Sequence, residues 1–253
     1  MSAVLECSGV TVRFGAFTAI DGVSLAFGPG RLYSVIGPNG AGKTTRINVL
    51  SGRLVADAGR VMLEGRDVTG VPAHRRASLG LGRSFQITKI FAGLTVFESL
   101  RLAGLGRFFK FQPFWRPIGS YKPVAEAADA MLETLSLKHR RDTIAEQLSH
   151  GDQRALEVGL SLMTEPRVLL LDEPLAGVGQ HEVERAVALI ERVRKGRTVV
   201  LIEHNMQAVM RLSDEIVVMV RGRVLASGTP RDIQANPDVR AAYLGEPVAH
   251  AGA

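Results

Sequence analysis

The sequence predicts an α/β fold whose mainly parallel sheet is built around a phosphate-binding loop. Three observations predict it. A short apolar run, residues 32–36, leads into the glycine-rich stretch GPNGAGKTT at 37–45, and Ile47, Val49 and Leu50 follow at positions that suit a helix. Further on, the strand-like runs RVLLLD (167–172), TVVLIE (198–203) and IVVMV (216–220) alternate with helical stretches. Strand, helix and strand repeated in this order give parallel strands covered on both faces.

The loop satisfies G-x-x-x-x-G-K-[ST] between a strand and a helix, the context in which the pattern binds a nucleotide triphosphate. Gly37, Gly40 and Gly42 let the backbone turn tightly and bring N–H groups to a phosphate, and Asn39, Ala41 and Thr45 complete the cradle. The helix adds its positive N-terminal end. Lys43 is expected to neutralise the outer phosphates, and the Thr44 hydroxyl to hold Mg²⁺.

Before the loop, Val10, Val12 and Phe14, then Val23, Leu25 and Phe27, alternate as strands with one covered face, separated by a turn near Gly15. After the loop helix, RVMLEGRDVT resumes as strand and turn, so the first part reads as mixed sheet. A short basic helix is expected at 72–78, a strand in LGLGRSFQ (79–86), and a helix from Thr95, whose Glu98 three residues on makes a capping box. The composition then shifts: residues 104–121 carry glycines, prolines, basic residues and the aromatics Phe108, Phe109, Phe111, Phe114, Trp115 and Tyr121. This segment fits either a docking element for a membrane interface or partner helix, or the core of a small subdomain. Helices are expected at 123–137 and 155–163, and a third after the 167–172 strand, with Val183, Ala186, Val187 and Ile190 on its apolar face.

A second set of polar residues falls at strand ends. Asp172 and Glu173 are delivered to the C-terminal end of an apolar strand, where ligands bind in parallel sheets. Asp172 is expected to complete the Mg²⁺ shell, and Glu173 to orient or deprotonate the attacking water. Gln86 closes one strand, and His204 closes another within reach of a γ-phosphate.

The 253 residues, 46% hydrophobic and 22% charged, suit a soluble globular chain with a sizeable core. No run approaches the roughly 18 apolar residues of a membrane span, and the start MSAVLECSGV does not read as a secretion signal, so a cytoplasmic protein is expected. The single cysteine, Cys7, excludes an internal disulfide and any cysteine-based metal cluster, and is expected to be a small apolar strand residue. The formal charge of +6 is scattered over several segments, which reads as helix-surface charge or as attraction to an anionic surface.

Together these motifs resemble the nucleotide-binding subunit of ABC transporters. GPNGAGKTT is similar to the family's Walker A, LLLDEP to its Walker B with catalytic Glu173, Gln86 to its Q-loop, which also contributes to the metal, and His204 to its switch histidine. Phe14 stands where the family stacks an aromatic on adenine. LSHGDQR (148–154) resembles the signature LSGGQ, which implies that Ser149 and Gly151 contact ATP held by a partner subunit. It departs at His150 and Asp152, which replace Gly and Gln; Gly179 and Asn205 replace two further Asp residues of the family pattern. A carboxylate near a γ-phosphate is repelled, so Asp152 is expected to point elsewhere or to weaken that site.

The phrases GRSFQ, IFAGLTVFESL, EPLAGV and IEHNM, with the ending GTPRDIQANPDVRAAYLGE, resemble the branched-chain amino acid (amide) importer group. The resemblance implies an N-terminal antiparallel β subdomain and an inserted α-helical subdomain within one ATPase domain. Its parts are expected at 1–86, 87–160 and 161–246, with a loose tail at 247–253. It implies ATP and Mg²⁺ as ligands, a homo- or heterodimer with a second ATPase subunit, permease partners, an indirect link to a solute-binding protein, and a place on the inner face of the cell membrane. Urea importers and lipid or lipopolysaccharide exporters are the near alternatives. A nucleic-acid or ribosome factor of the same fold is the distant one, disfavoured because those proteins usually carry two cassettes, and no nucleic acid is expected.

Overall fold

The computed structural model describes residues 3–84, 91, 93–108 and 122–244. Gln86, most of the aromatic segment 104–121 and the tail therefore lie outside the described residues, apart from 104–108 at the end of a helix.

Two sheets form the frame. In the first, β1 (Leu5–Phe14), β2 (Phe17–Phe27), β4 (Ala58–Leu63) and β5 (Arg66–Asp67) run antiparallel in the order β2-β1-β4-β5. The second has six strands in the order β10-β9-β3-β8-β7-β6, comprising β3 (Leu32–Ile36), β6 (Leu81–Arg83), β7 (Val168–Asp172), β8 (Thr198–Ile202), β9 (Glu215–Val220) and β10 (Arg223–Gly228). All its pairings are parallel except β9 with β10. The antiparallel β part and the mainly parallel core are as the sequence predicts.

The strands β3, β7 and β8 are buried along their whole length, and their side chains alternate between two cores. Leu169, Leu171, Val199 and Leu201 face one side with the helices, whereas Val168, Leu170, Val200 and Ile202 face the other with β1 and α1. That period of two on a doubly covered sheet explains why the runs are continuously apolar in sequence.

Between β6 and β7 the described residues form three long helices, α3 (Val96–Phe108), α4 (Lys122–Thr134) and α5 (His150–Leu162). Thr95 and Glu98 close the expected capping box at α3: Glu98 Oε2 accepts from the Thr95 N–H at 2.9 Å, and the Glu98 N–H donates to Thr95 Oγ1 at 3.2 Å. The remaining helices are α1 (Lys43–Leu50), α2 (Ala73–Ser78), α6 (Gln180–Val193), α7 (Met206–Leu212), α8 (Pro230–Ala235) and the single turn α9 (Pro237–Val239).

Two boundaries differ from expectation. α5 begins at His150 rather than 155, because Ser149 is its N-cap and accepts from the Asp152 N–H at 3.2 Å. α4 ends at Thr134 rather than 137, where Ser136 takes a left-handed φ of 59°.

Candidate active site

Register decides where the functional loops emerge. Ile202 at the end of β8 pairs with Val35 of β3 on one side and with Asp172 of β7 on the other. The loop after β3, the acidic pair after β7 and His204 after β8 thus leave the sheet at one level, the C-terminal edge at which parallel sheets bind ligands.

The loop needs glycine at positions 37 and 42 for steric reasons. A Cβ on Gly37 (φ 152°) would lie 2.1 Å from the Met219 carbonyl oxygen, and one on Gly42 (φ 92°) 2.5 Å from that of Ala19. The loop is therefore pressed between β9 and β2, and Gly42 forms the N-cap of α1. Ala41 is buried, while Asn39, Gly40 and Thr44 are exposed. Lys43 curls over the loop, donating to the carbonyls of Gly37 at 2.6 Å and Pro38 at 2.9 Å. Burial lowers the Lys43 pKa, and the nearby Glu173 carboxylate pulls it back up.

Asp172 is fully buried at the end of β7. Its Oδ2 accepts from Arg83 Nη2 at 3.0 Å in an ion pair whose side chains are 7% and 0% exposed. Burial raises the Asp172 pKa, and Arg83 opposes that shift. Arg83 Nη1 also donates to Asn48 Oδ1 (2.8 Å) and Ser51 Oγ (2.7 Å), so one guanidinium joins β6, β7 and the loop helix α1. Asp172 Oδ1 is buried with no hydrogen-bond partner among the described residues. The Asp172 carboxylate and the Thr44 hydroxyl, both at this sheet edge, are hard oxygen donors of the kind that suit Mg²⁺.

Glu173 follows with φ 49°, and its N–H donates to the Ile202 carbonyl at 2.9 Å. Its Oε1 stands 4.0 Å from Nδ1 of the largely exposed His204.

The signature residues lie elsewhere. Ser149 and His150 are exposed at the start of α5. A Cβ on Gly151 would meet Glu182 Oε1 at 2.6 Å, and Ser149 Oγ donates to that same oxygen at 3.5 Å. Asp152 is turned away onto Arg185 of α6 at 3.3 Å. Phe14 is 54% exposed at the β1–β2 turn, across from Phe17.

The family model described as "ABC transporter" matches residues 20–176. The chain belongs to the ABC transporter family. A second family model, "Branched-chain amino acid ATP-binding cassette transporter", matches residues 223–249. The chain is 42% identical over 253 residues to the high-affinity branched-chain amino acid transport ATP-binding protein BraF of Pseudomonas aeruginosa, covering 96% of this chain and 98% of that protein. It is 38% identical over 252 residues to the corresponding protein LivG of Escherichia coli K12, with the same coverage. Among solved structures, an ABC transporter cassette in its ADP conformation superposes with a TM-score of 0.85 at 32% identity, covering 97% of this chain and 100% of that one. The molecule is an ABC ATP-binding subunit that binds ATP and hydrolyses it in transport.

Three buried charged residues near the motif loops carry no motif of their own. Arg83, within GRSFQ, and Glu203, within IEHNM, are both buried, Arg83 bonded to Asn48 and Asp172 and Glu203 to the N–H groups of Leu175 and His204. Their signal is a charged residue at the end of an otherwise buried strand. Arg46 is the third: it is buried in the first turn of α1, its guanidinium nitrogens have no hydrogen-bond partner among the described residues, and burial lowers its pKa to about 10.

Proposed function

We propose that this chain is the ATP-hydrolysing subunit of an importer for branched-chain amino acids. The shared register at Ile202 carries the hydrolytic part of this reading, since it gathers the Lys43 loop, Asp172, Glu173 and His204 at one sheet edge. The match at 223–249 and the two named relatives support the solute class.

In this reading residues 37–45 and Lys43 hold the phosphates, Phe14 stacks on adenine, and Thr44, Asp172 and Gln86 hold Mg²⁺. A cation held there would neutralise charge on the nucleotide phosphates. Glu173 orients and deprotonates the attacking water, and His204 contacts the γ-phosphate. Ser149 and Gly151, which pack against α6, serve ATP on a second ATPase subunit. Each site is then completed only in a dimer.

The permease side is supported by a groove of about 540 Å³ beside β6, lined by Ala77, Leu81, Phe91, Ala103 and Leu160. Its lining is mainly apolar, Phe91 is 45% exposed, and it borders the strand that leads to Gln86. An apolar permease segment seated there would sense the nucleotide through that strand. No described helix is long and apolar enough to cross a membrane, so membrane attachment in this reading runs through the permease.

The test is uptake of labelled leucine, isoleucine and valine in cells deleted for the gene. Uptake is expected to fall and to return with the wild-type chain but not with Glu173→Gln. Undiminished uptake of all three in the deletion strain would remove the assigned solute class.

A further inference from the structure

The residue before the switch histidine is a glutamate with 1% exposure and no role in the site as built so far. Glu203 Oε1 accepts from the Leu175 N–H at 2.7 Å. Its Oε2 accepts from the N–H groups of His204 (3.0 Å) and Asn205 (3.3 Å). Leu175 lies two residues beyond Glu173, and the Glu173 N–H is fixed to Ile202, the residue before Glu203. One buried carboxylate therefore bridges the loop that carries Glu173 to the loop that carries His204.

A buried carboxylate is costly, and burial raises the Glu203 pKa against the pull of these amides. Its chemistry explains why a neutral amide does not serve. Three N–H donors arrive on two oxygens, and only a carboxylate offers acceptors on both; a glutamine presents an NH₂ to one of the two loops. Hydrogen bonds from backbone amides to an ionised group are also the stronger kind.

We infer that Glu203 is a positioning residue for ATP hydrolysis, clamping the loop after β7 to the loop after β8 and thereby setting the spacing of Glu173 and His204. The inference rests on the hydrolytic reading above. Glu203 spends its oxygens on the N–H groups of Leu175, His204 and Asn205 and acts through the two residues it places.

The test compares ATP hydrolysis by the full-length wild type, Glu173→Gln, Glu203→Gln and Glu203→Asp. Glutamine keeps the size but loses an acceptor; aspartate keeps both oxygens but shortens the reach by one methylene. Either folded variant is expected to lose about 10- to 100-fold in kcat, the scale of a charged hydrogen bond or of a misplaced reacting group. The KM for Mg·ATP is expected to stay within about twofold, because the phosphate loop is untouched. A merely structural role predicts instead a lowered Tm with kcat retained in the folded protein, or kcat and KM moving together; either result overturns the inference. Full activity in both Glu203 variants beside an inactive Glu173→Gln removes the Glu203 inference alone. A Glu173→Gln chain that turns over normally removes the hydrolytic reading and this inference with it.

Discussion

The C-terminal edge of the core sheet at the 37–45 loop and the N-terminal end of α5 are built on opposite terms. At the sheet edge Lys43, Arg83, Asp172 and Glu203 are all buried and tied to main chain or to one another. At α5, Ser149 and His150 are exposed, and the contacts that exist are to α6, where Glu182 crowds Gly151 and Arg185 holds Asp152. The first region is finished within one chain. The second presents a helix N-terminus whose charge is offset by two carboxylates, and it fits a surface that is completed only when another molecule arrives.

The comparison is tested most severely at Glu173. Glu173→Gln should reduce ATP turnover by roughly 10² to 10⁴ while leaving Mg·ATP affinity intact, as expected for removal of a positioned base. Steady-state hydrolysis with equilibrium nucleotide titration separates the two. Normal turnover would show that Glu173 is not the base for hydrolysis.

Next in size is Arg83→Leu. It leaves Asp172 buried without its partner, which costs about 3–5 kcal/mol of stability. It also frees Asn48 and Ser51 of α1. Urea unfolding should show a shift of the midpoint of that scale, with loss of nucleotide affinity. If stability is unchanged, the sheet edge is not the rigid region described above.

These two residues show what was legible in the sequence. Glu173 could be read because it adjoins Asp172 at the end of a contiguous apolar run, as residues 37–45 could from their own spacing. Arg83 could not, because its partner lies 89 residues away and only β6–β7 pairing joins them. Glu203 was hidden in the same way: Leu175 is 28 residues distant. The β10 strand was missed for a different reason. It is half exposed along its length, so no apolar run marks it, and the β9–β10 turn relies on Arg221 and Gly222, both at positive φ (49° and 77°). The early start of α5 escaped because its first turn carries Gly151 and is set by the Ser149 cap rather than by apolar spacing.

A smaller effect is expected from the signature side. Glu182→Gln removes a carboxylate from beside Ser149 and Gly151. If this surface receives a partner's γ-phosphate, the ATP concentration for half-maximal self- or partner association should fall by about 3- to 10-fold, since the repulsion between the Glu182 carboxylate and the phosphate is removed. Light scattering or analytical ultracentrifugation across an ATP series reads this. A higher requirement would mean that Glu182 supports the surface instead of opposing it.

The smallest effect should stay within the helices between β6 and β7. Thr95→Ala removes the N-cap of α3 and is expected to cost about 1 kcal/mol. The Glu98 carboxylate of this box is held below its ordinary pKa, first by the Thr95 backbone N–H and then by the Thr95 hydroxyl. A group depressed in the folded state stabilises above its unfolded pKa, and that contribution is lost as pH falls through the lower folded value. The difference in Tm between wild type and Thr95→Ala should therefore be widest near neutral pH and narrow below the ordinary glutamate pKa. Nucleotide affinity should not change, because Thr95 and Glu98 touch nothing at the sheet edge. Loss of affinity in this variant would mean that the two regions are coupled through α3, and that ordering the helices is itself part of how the phosphate loop is held.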